Sequence, residues 1–260
     1  MTFEKEIKSR NVKTYADFFY PHLAANDQVL DCGCGNGSIT VGLAQFVPDG
    51  SIVGIDLDMD QFQLAISHLR QYNLNNISFY GASMLRLPFA AKTFSACLCH
   101  SSLETLEEPN QALQEVKRVL KLGGLIGVAS VEYEGVILTG SQEPLLRKFY
   151  AVREKLWRLE GVAEPRLGKH LRTLLHATGF GEVRAQAHYI SHGSDAEVAS
   201  FGLERAAECE DRWYVEKVLE HKLLSRAELK EIQAAWKKWA VAQDSFVAFT
   251  WCRAIGRKVN

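Results

Sequence analysis

The chain contains no apolar stretch long enough to span a bilayer, and its opening residues, MTFEKEIKSR, lack the apolar centre of a secretory signal. A cytoplasmic location without membrane insertion is expected. Neither sign of charge is in excess: 30 Lys and Arg stand against 31 Asp and Glu, which leaves no electrostatic footprint for RNA or DNA. None of the six cysteines forms a C-x-x-C pair. Cys32 and Cys34 lie in a glycine-rich stretch, Cys97 and Cys99 alternate in a strand-like run, and Cys209 and Cys252 stand apart. That pattern points to small buried thiols and no metal. No repeat or low-complexity segment interrupts the 260 residues, and a hydrophobic fraction of 47% with 23% charged residues is that of an ordinary globular domain. One α/β domain spanning 1–260 is the expectation.

What is present is an alternation of strand and helix patterns, the mark of a parallel sheet covered on both faces. A helix over Lys13–Leu23 should precede strands at Gln28–Cys32, Ser51–Asp56, Ile77–Tyr80, Phe94–His100 and Leu125–Ser130. Between them, a helix over Asp60–Tyr72 would bury Phe62, Ala65, Ile66, Leu69 and Tyr72. A second, opened by Pro109, would bury Ala112, Leu113, Val116, Val119 and Leu120. Beyond Ser130, helical patterns occupy Pro144–Leu159, Gly168–Thr178 and the block Ser194–Gln243. Strands are expected at Gly181–Ser191 and Phe246–Ile255. Leu229, Ile232, Trp236 and Trp239 recur at helical spacing and should pack inward.

The chemistry concentrates in VLDCGCGNG, Val29 to Gly37, where an apolar run breaks into glycine at every second position. Gly33, Gly35 and Gly37 allow a sharp turn and close ligand approach, and the following residues can begin a helix over the loop. A dinucleotide loop reads G-x-G-x-x-G and would need its third glycine at Ser38; G-x-G-x-G does not match it. One βα unit later, Asp56 closes an apolar strand where a carboxylate can accept both hydroxyls of a ribose. Asp58 and Asp60 read as surface or helix-terminal charges, Asp60 suiting an N-cap.

VLDCGCGNG resembles motif I of the class I S-adenosylmethionine (SAM)-dependent methyltransferases. With GASMLRLPF, FSACLCHSSLETLEEP and ALQEVKRVLKLGGLIGVAS, the stretch Val29–Ser130 is similar to their ubiquinone/menaquinone-biosynthesis-type branch. The resemblance implies a Rossmann-like sheet of seven strands, the last antiparallel, with helices on both faces and an added helical cap. It implies an N-terminal helical segment at 1–26, a SAM-binding core at 27–132, and a cap at 133–180 and 194–243 over the acceptor pocket. SAM would be the cofactor and S-adenosylhomocysteine the product, without metal. A small-molecule acceptor would receive the methyl group on O, N or C by direct in-line transfer, and the protein would be a monomer or homodimer.

The implied SAM contacts are Asp31, Gly33, Cys34, Gly35, Asn36 and Gly37 in the loop, and Asp56 with Leu57 at the ribose. Phe62, Ala82, Ser83 and Met84 would surround the adenine, and His100 with Ser101 the methionine. Arg10 and Tyr15 would come from the N-terminal segment, Arg10 as partner of the SAM carboxylate or as a lid latch. Ser83 stands where the family usually carries an acid, and Thr105 replaces a family histidine; Ser95 and Leu122 are further, structural departures. His100 is therefore the remaining candidate base, unless it and Ser101 only line the cofactor. No Asn-Pro-Pro-Tyr-type tetrapeptide is present, which argues against planar amide or adenine acceptors. Tyr20, Trp157, Arg166 and His170 are the acceptor-contact candidates, with Tyr133, His188 and Tyr189 behind them. Two other readings stay open: a non-methylating enzyme on the same fold, and an inactive SAM-binding module.

Overall fold

Short apolar runs ending in a polar residue become the parallel strands of the sheet. The computed structural model describes residues 10–63, 65–66 and 74–260. Strands β1 (Gln28–Cys32), β2 (Ser51–Asp56) and β4 (Phe94–His100) have the expected bounds, and β3 runs one residue further, Ile77–Gly81. β1 pairs in parallel with both β2 and β4, so Leu30 lies between Val53 and Cys97. The later strands are longer than the sequence pattern marks: β5 is Leu120–Thr139, β6 Phe180–His192 and β7 Phe246–Lys258. The order across the sheet is β3-β2-β1-β4-β5-β7-β6.

β7 runs antiparallel to its neighbour β5, as its contacts show. Lys258 Nζ donates to the Leu120 carbonyl at 2.8 Å, whereas Thr250 Oγ1 donates to that of Gly135, also at 2.8 Å. The partner number falls along one strand as it rises along the other. The result is the Rossmann-like sheet with an inserted antiparallel strand.

Backbone contacts divide the chain into two compact units. Among the described residues, the first holds 10–130 with Leu167–Ala187 and Cys252–Asn260; the second holds Val131–Arg166 and His188–Trp251. In the first unit, helices α1 (Val12–Tyr15), α2 (Ser38–Leu43), α3 (Pro109–Val119) and α5 (Leu171–Ala177) accompany the sheet. The second contains α4 (Glu143–Leu159), α6 (Asp195–Glu208), α7 (Arg212–Glu220) and α8 (Arg226–Trp239). α5 falls inside 133–180 but packs in the first unit, because Leu171 and Leu175 join the core made by Leu30, Cys97 and the α3 face. Each such leucine, fully buried, contributes about 1.5–3 kcal/mol. No helix among the described residues is long and apolar enough to cross a membrane.

The continuous helix expected over Lys13–Leu23 is instead two short pieces. Asn11 caps α1 by accepting from Thr14 N at 3.0 Å, and a 3-10 turn at Tyr20–His22 follows a break at Ala16. Pro21 restricts Tyr20 and supplies no N–H, so a helix cannot run through. The break delivers Phe19, fully buried, onto Gly127 of β5, where a Cβ would lie 2.4 Å from the ring. Of the Asp60–Tyr72 helix, Phe62 and Ala65 are buried and Ile66 is exposed; Leu69 and Tyr72 lie outside the described residues.

In the second unit the expected face of α8 is buried: Leu229, Ile232, Trp236 and Trp239 point inward. Trp236 meets Phe149 at 5.6 Å and Phe201 at 6.0 Å between ring centroids, and Trp239 Nε1 donates to the Thr139 carbonyl at 2.7 Å. A capping box opens the helix: Ser225 Oγ accepts from Glu228 N at 3.2 Å while Glu228 Oε2 accepts from Ser225 N at 2.7 Å. Ser225→Ala removes one arm of that box. It should lower stability by about 1 kcal/mol, read as a shifted midpoint in urea denaturation.

Candidate active site

The glycine loop between β1 and α2 is built from three left-handed residues: φ is +73° at Gly33, +51° at Gly35 and +71° at Gly37. Two of the three are also hemmed in. A Cβ at Gly33 would lie 2.5 Å from Ser102 Cβ, and one at Gly37 would lie 2.7 Å from Ala65 Cβ and 2.8 Å from Phe79 Cζ. Gly35 differs, since a Cβ there would meet nothing within 4 Å. The loop therefore presents bare backbone to open space at its middle glycine alone.

Most of the loop's N–H groups are already used. Gly33 N and Cys34 N both donate to the Ile55 carbonyl, at 2.8 and 2.9 Å, and Gly37 N donates to that of Cys34 at 2.9 Å. Gly35 N donates to Asp56 Oδ2 at 2.8 Å, and Ser38 N to Asn36 Oδ1 at 3.1 Å. A diphosphate needs such groups free, so this loop is not the anion cradle of a dinucleotide site. Asp56 Oδ1 also accepts from Asp58 N at 3.0 Å. Each oxygen of this half-buried carboxylate keeps a second lone pair for a hydroxyl.

Beneath the loop, Asp31 is buried and accepts from Thr40 Oγ1 at 2.6 Å. Burial pushes its carboxyl from 3.8 up to about 7, against the Thr40 hydrogen bond and with help from nearby Cys99 and Asp56. Asn36 is buried, Leu57 is exposed, and Phe62 is buried against Phe79 at 5.5 Å. Ala82 N donates to the Asp56 carbonyl at 3.0 Å, fixing the turn after β3. Ser83 Oγ accepts from Leu85 N at 3.2 Å, leaving the hydroxyl one further lone pair. Met84 is buried within the hydrophobic core, beside Leu87 and Leu103.

At the end of β4, His100 is buried, with Tyr15 edge-on at 5.5 Å. Burial, then the positive charges of Arg10 and Arg253, hold its imidazole well below the usual histidine range, so the ring is neutral. Arg10 is buried and lies over Tyr15 at 5.6 Å, while Arg253 is fixed by Asp17 at 2.7 Å. Ser101 adopts φ +55°. Its hydroxyl donates to Glu104 Oε1 at 2.9 Å, and Ser130 Oγ donates to Glu104 Oε2 at 2.7 Å. Desolvation raises the Glu104 pKa despite those two donors. Sequence reasoning passed over Glu104 for its neighbour Thr105. The only signal was an acid just past the end of β4, where ligands of open parallel sheets lie.

The remaining candidates are dispersed. In the first unit, Tyr20 stacks on Phe46 at 4.2 Å and His170 is an exposed residue preceding α5. In the second, Trp157 is buried under the Arg153 guanidinium at 4.1 Å. Arg166 pairs with Glu154 at 3.0 Å and lines an open cleft of about 530 Å³ together with Tyr133 and Tyr150. Cys32, Cys97 and Cys99 bring three buried sulphur atoms within 4.8 Å of one another, a grouping that spans two strands. Burial pushes the Cys97 thiol well above its ordinary range.

A family model for the methyltransferase domain matches residues 23–179, more than half of the sequence. The chain belongs to the methyltransferase domain family. The matched region of this methyltransferase domain includes β1 to β5 and the glycine loop. An uncharacterized methyltransferase of Schizosaccharomyces pombe is 35% identical over 123 residues, 45% of this chain and 44% of the relative. The chain thus spans less than half of that relative's length. A demethylmenaquinone methyltransferase of Listeria welshimeri is 26% identical over 191 residues, covering 68% of this chain and 78% of the relative. Among solved structures, the YcgJ protein of Bacillus subtilis superposes with a TM-score of 0.64 at 16% identity, over 95% of this chain and 99% of that one, a likeness of fold.

The ionisation of Asp31 gives a pH signature. Its carboxyl titrates near 3.8 when unfolded and near 7 when folded, so the folded state holds a proton between those values that the unfolded state has released. The stability this represents is complete below pH 3.8 and is lost as pH rises through 7. Between pH 5 and pH 8 the protein should lose about 2–3 kcal/mol relative to Asp31→Asn, compared by urea denaturation at both pH values.

Proposed function

We propose that the chain is a SAM-dependent methyltransferase that moves a methyl group to an O, N or C atom of a small-molecule acceptor. The observation that carries this reading is the open side of Gly35 above the Asp56 carboxylate. The glycine backbone can lie against a ligand's amino-acid end, and Asp56 can take a ribose diol one βα unit away. The spent N–H groups of the loop favour a nucleoside without a diphosphate. These residues fit SAM.

Bound SAM would supply an electrophilic methyl group on its sulfonium. The protein's work is alignment and exclusion of water, and positioning of this kind supplies about 7–11 kcal/mol in favourable cases. Asp31, Gly33, Cys34, Asn36 and Gly37 fix the loop, and Leu57 and Phe62 flank the ribose and adenine. Ala82 and Ser83 face the adenine edge; Met84 supports that turn from the core, consistent with its burial. Arg10, Tyr15, His100 and Ser101 form the methionine end. His100 serves there as a neutral ring, because taking up a proton is unfavourable in its buried place and beside Arg10 and Arg253. Of the acceptor-contact candidates, Tyr20 and His170 belong to the same unit as this site.

Calorimetry with SAM tests the assignment. Asp56→Ala should weaken binding at least about tenfold, since hydrogen bonds to a charged acceptor are worth roughly 1.5–3 kcal/mol each. Gly35→Ala, which adds a methyl group on the open side, should weaken it while the urea midpoint moves by little more than the left-handed backbone requires. Unchanged affinity in both variants refutes the site. SAM binding without release of S-adenosylhomocysteine across an acceptor library would favour the inactive module.

A further inference from the structure

The cleft in the second unit has a shape and a charge pattern of its own. Its helical wall runs from Arg147 to Leu159 on one face of α4, at three- and four-residue spacing, opposite the β5 segment from Tyr133 to Leu138. Twelve residues of helix rise extend that wall over about 18 Å. The cleft is thus a groove, and its volume of about 530 Å³ lies within the usual range for small-molecule sites. Val136, Leu138, Tyr150 and Ala151 give it an apolar and aromatic lining.

The charges along the groove are mostly engaged. Arg147 pairs with Glu143 at 2.6 Å, Arg158 with Glu164 at 2.7 Å, and Arg166 with Glu154 at 3.0 Å. Lys155 is exposed on the same helical face and has no ion pair or hydrogen bond among the described residues. It stands toward the C-terminal end of the wall, one turn before Leu159, with the apolar stretch around Ala151 a turn behind it.

We infer that this groove binds an elongated apolar carboxylate, such as a medium-chain acyl acid. The carboxylate meets Lys155 and the chain lies along Ala151, Val136 and Leu138. The site belongs wholly to the second unit, and the inference stands independently of the methyl-transfer reading. A groove that recognised only apolar surface would prefer an alcohol to the acid of equal length, because the ionised head costs more to desolvate. The sign of that preference therefore isolates the role of Lys155.

Calorimetry on the full chain with dodecanoate and dodecanol, each below its aggregation limit, provides the test. The unsubstituted protein should bind dodecanoate more tightly than dodecanol. Lys155→Met should reverse that order with dodecanol affinity unchanged. Ala151→Trp, at an exposed position on the wall, should weaken both ligands at least about tenfold, as expected when a narrow apolar site is filled. SAM affinity, set by residues of the other unit, should be the same in all three proteins. Tighter binding of dodecanol by the unsubstituted protein overturns the inference. So does a preference for dodecanoate that survives Lys155→Met, or an Ala151→Trp protein that still binds SAM and retains full affinity for dodecanoate.

Discussion

A single carboxylate, Asp56, joins the first two strand–helix units at the mouth of the sheet. It accepts the Gly35 N–H from the loop after β1 and the Asp58 N–H from the loop after β2. Parallel pairing of β1 with β2 places those two loops side by side, and the Ile55 carbonyl receives two more N–H groups from the first. The loop's left-handed geometry is thus held from the neighbouring strand rather than by its own helix. Gly54 belongs to the same constraint, since a Cβ there would lie 2.7 Å from Phe79 and 3.0 Å from the Cys34 sulphur. The loop so braced leaves open space next to Gly35.

Much of this was legible in the sequence because it depends on short-range rules. An apolar run, a glycine loop and an acid one unit later define β1, β2 and the turn between them almost to the residue. The α3 face, from Ala112 to Val119, follows from helical spacing alone, but Leu120, expected on the same face, is the first residue of β5 because the chain turns extended there. The added length of β5 was not legible, because the apolar–polar alternation of Val131 to Glu134 lasts only four residues before Gly135, and the neighbouring strand β7 comes from more than a hundred residues away. Pro21 shows in the sequence that the helix cannot reach Leu23, but the earlier break at Ala16 carries no such signal. It is dictated by where Phe19 must be buried, a tertiary fact that overrides a fair local helix pattern.

The site divides in the same way. Asp31, Gly35 and Asp56 could be named from spacing, whereas Glu104 gains meaning only when Ser101, just past β4, and Ser130, in β5, converge on it. His100 shows the opposite case. Its residue type and place at a strand end suit a base, but burial, and then two arginines from opposite ends of the sequence, make the protonated ring costly. Of the three core thiols, Cys97 and Cys99 share a strand face by their spacing, whereas Cys32 joins them only through the pairing of β1 with β4.

β7 contributes Phe246–Trp251 to one compact unit and Cys252–Lys258 to the other. During synthesis, neither unit can close its sheet before this strand leaves the ribosome. Helices α3 and α8 can form early from local contacts, while the pairings of Leu120 with Lys258 and of Gly135 with Thr250 must span more than a hundred residues. Such separations slow folding. They also make its completion a joint event, in which one late strand commits both halves of the protein.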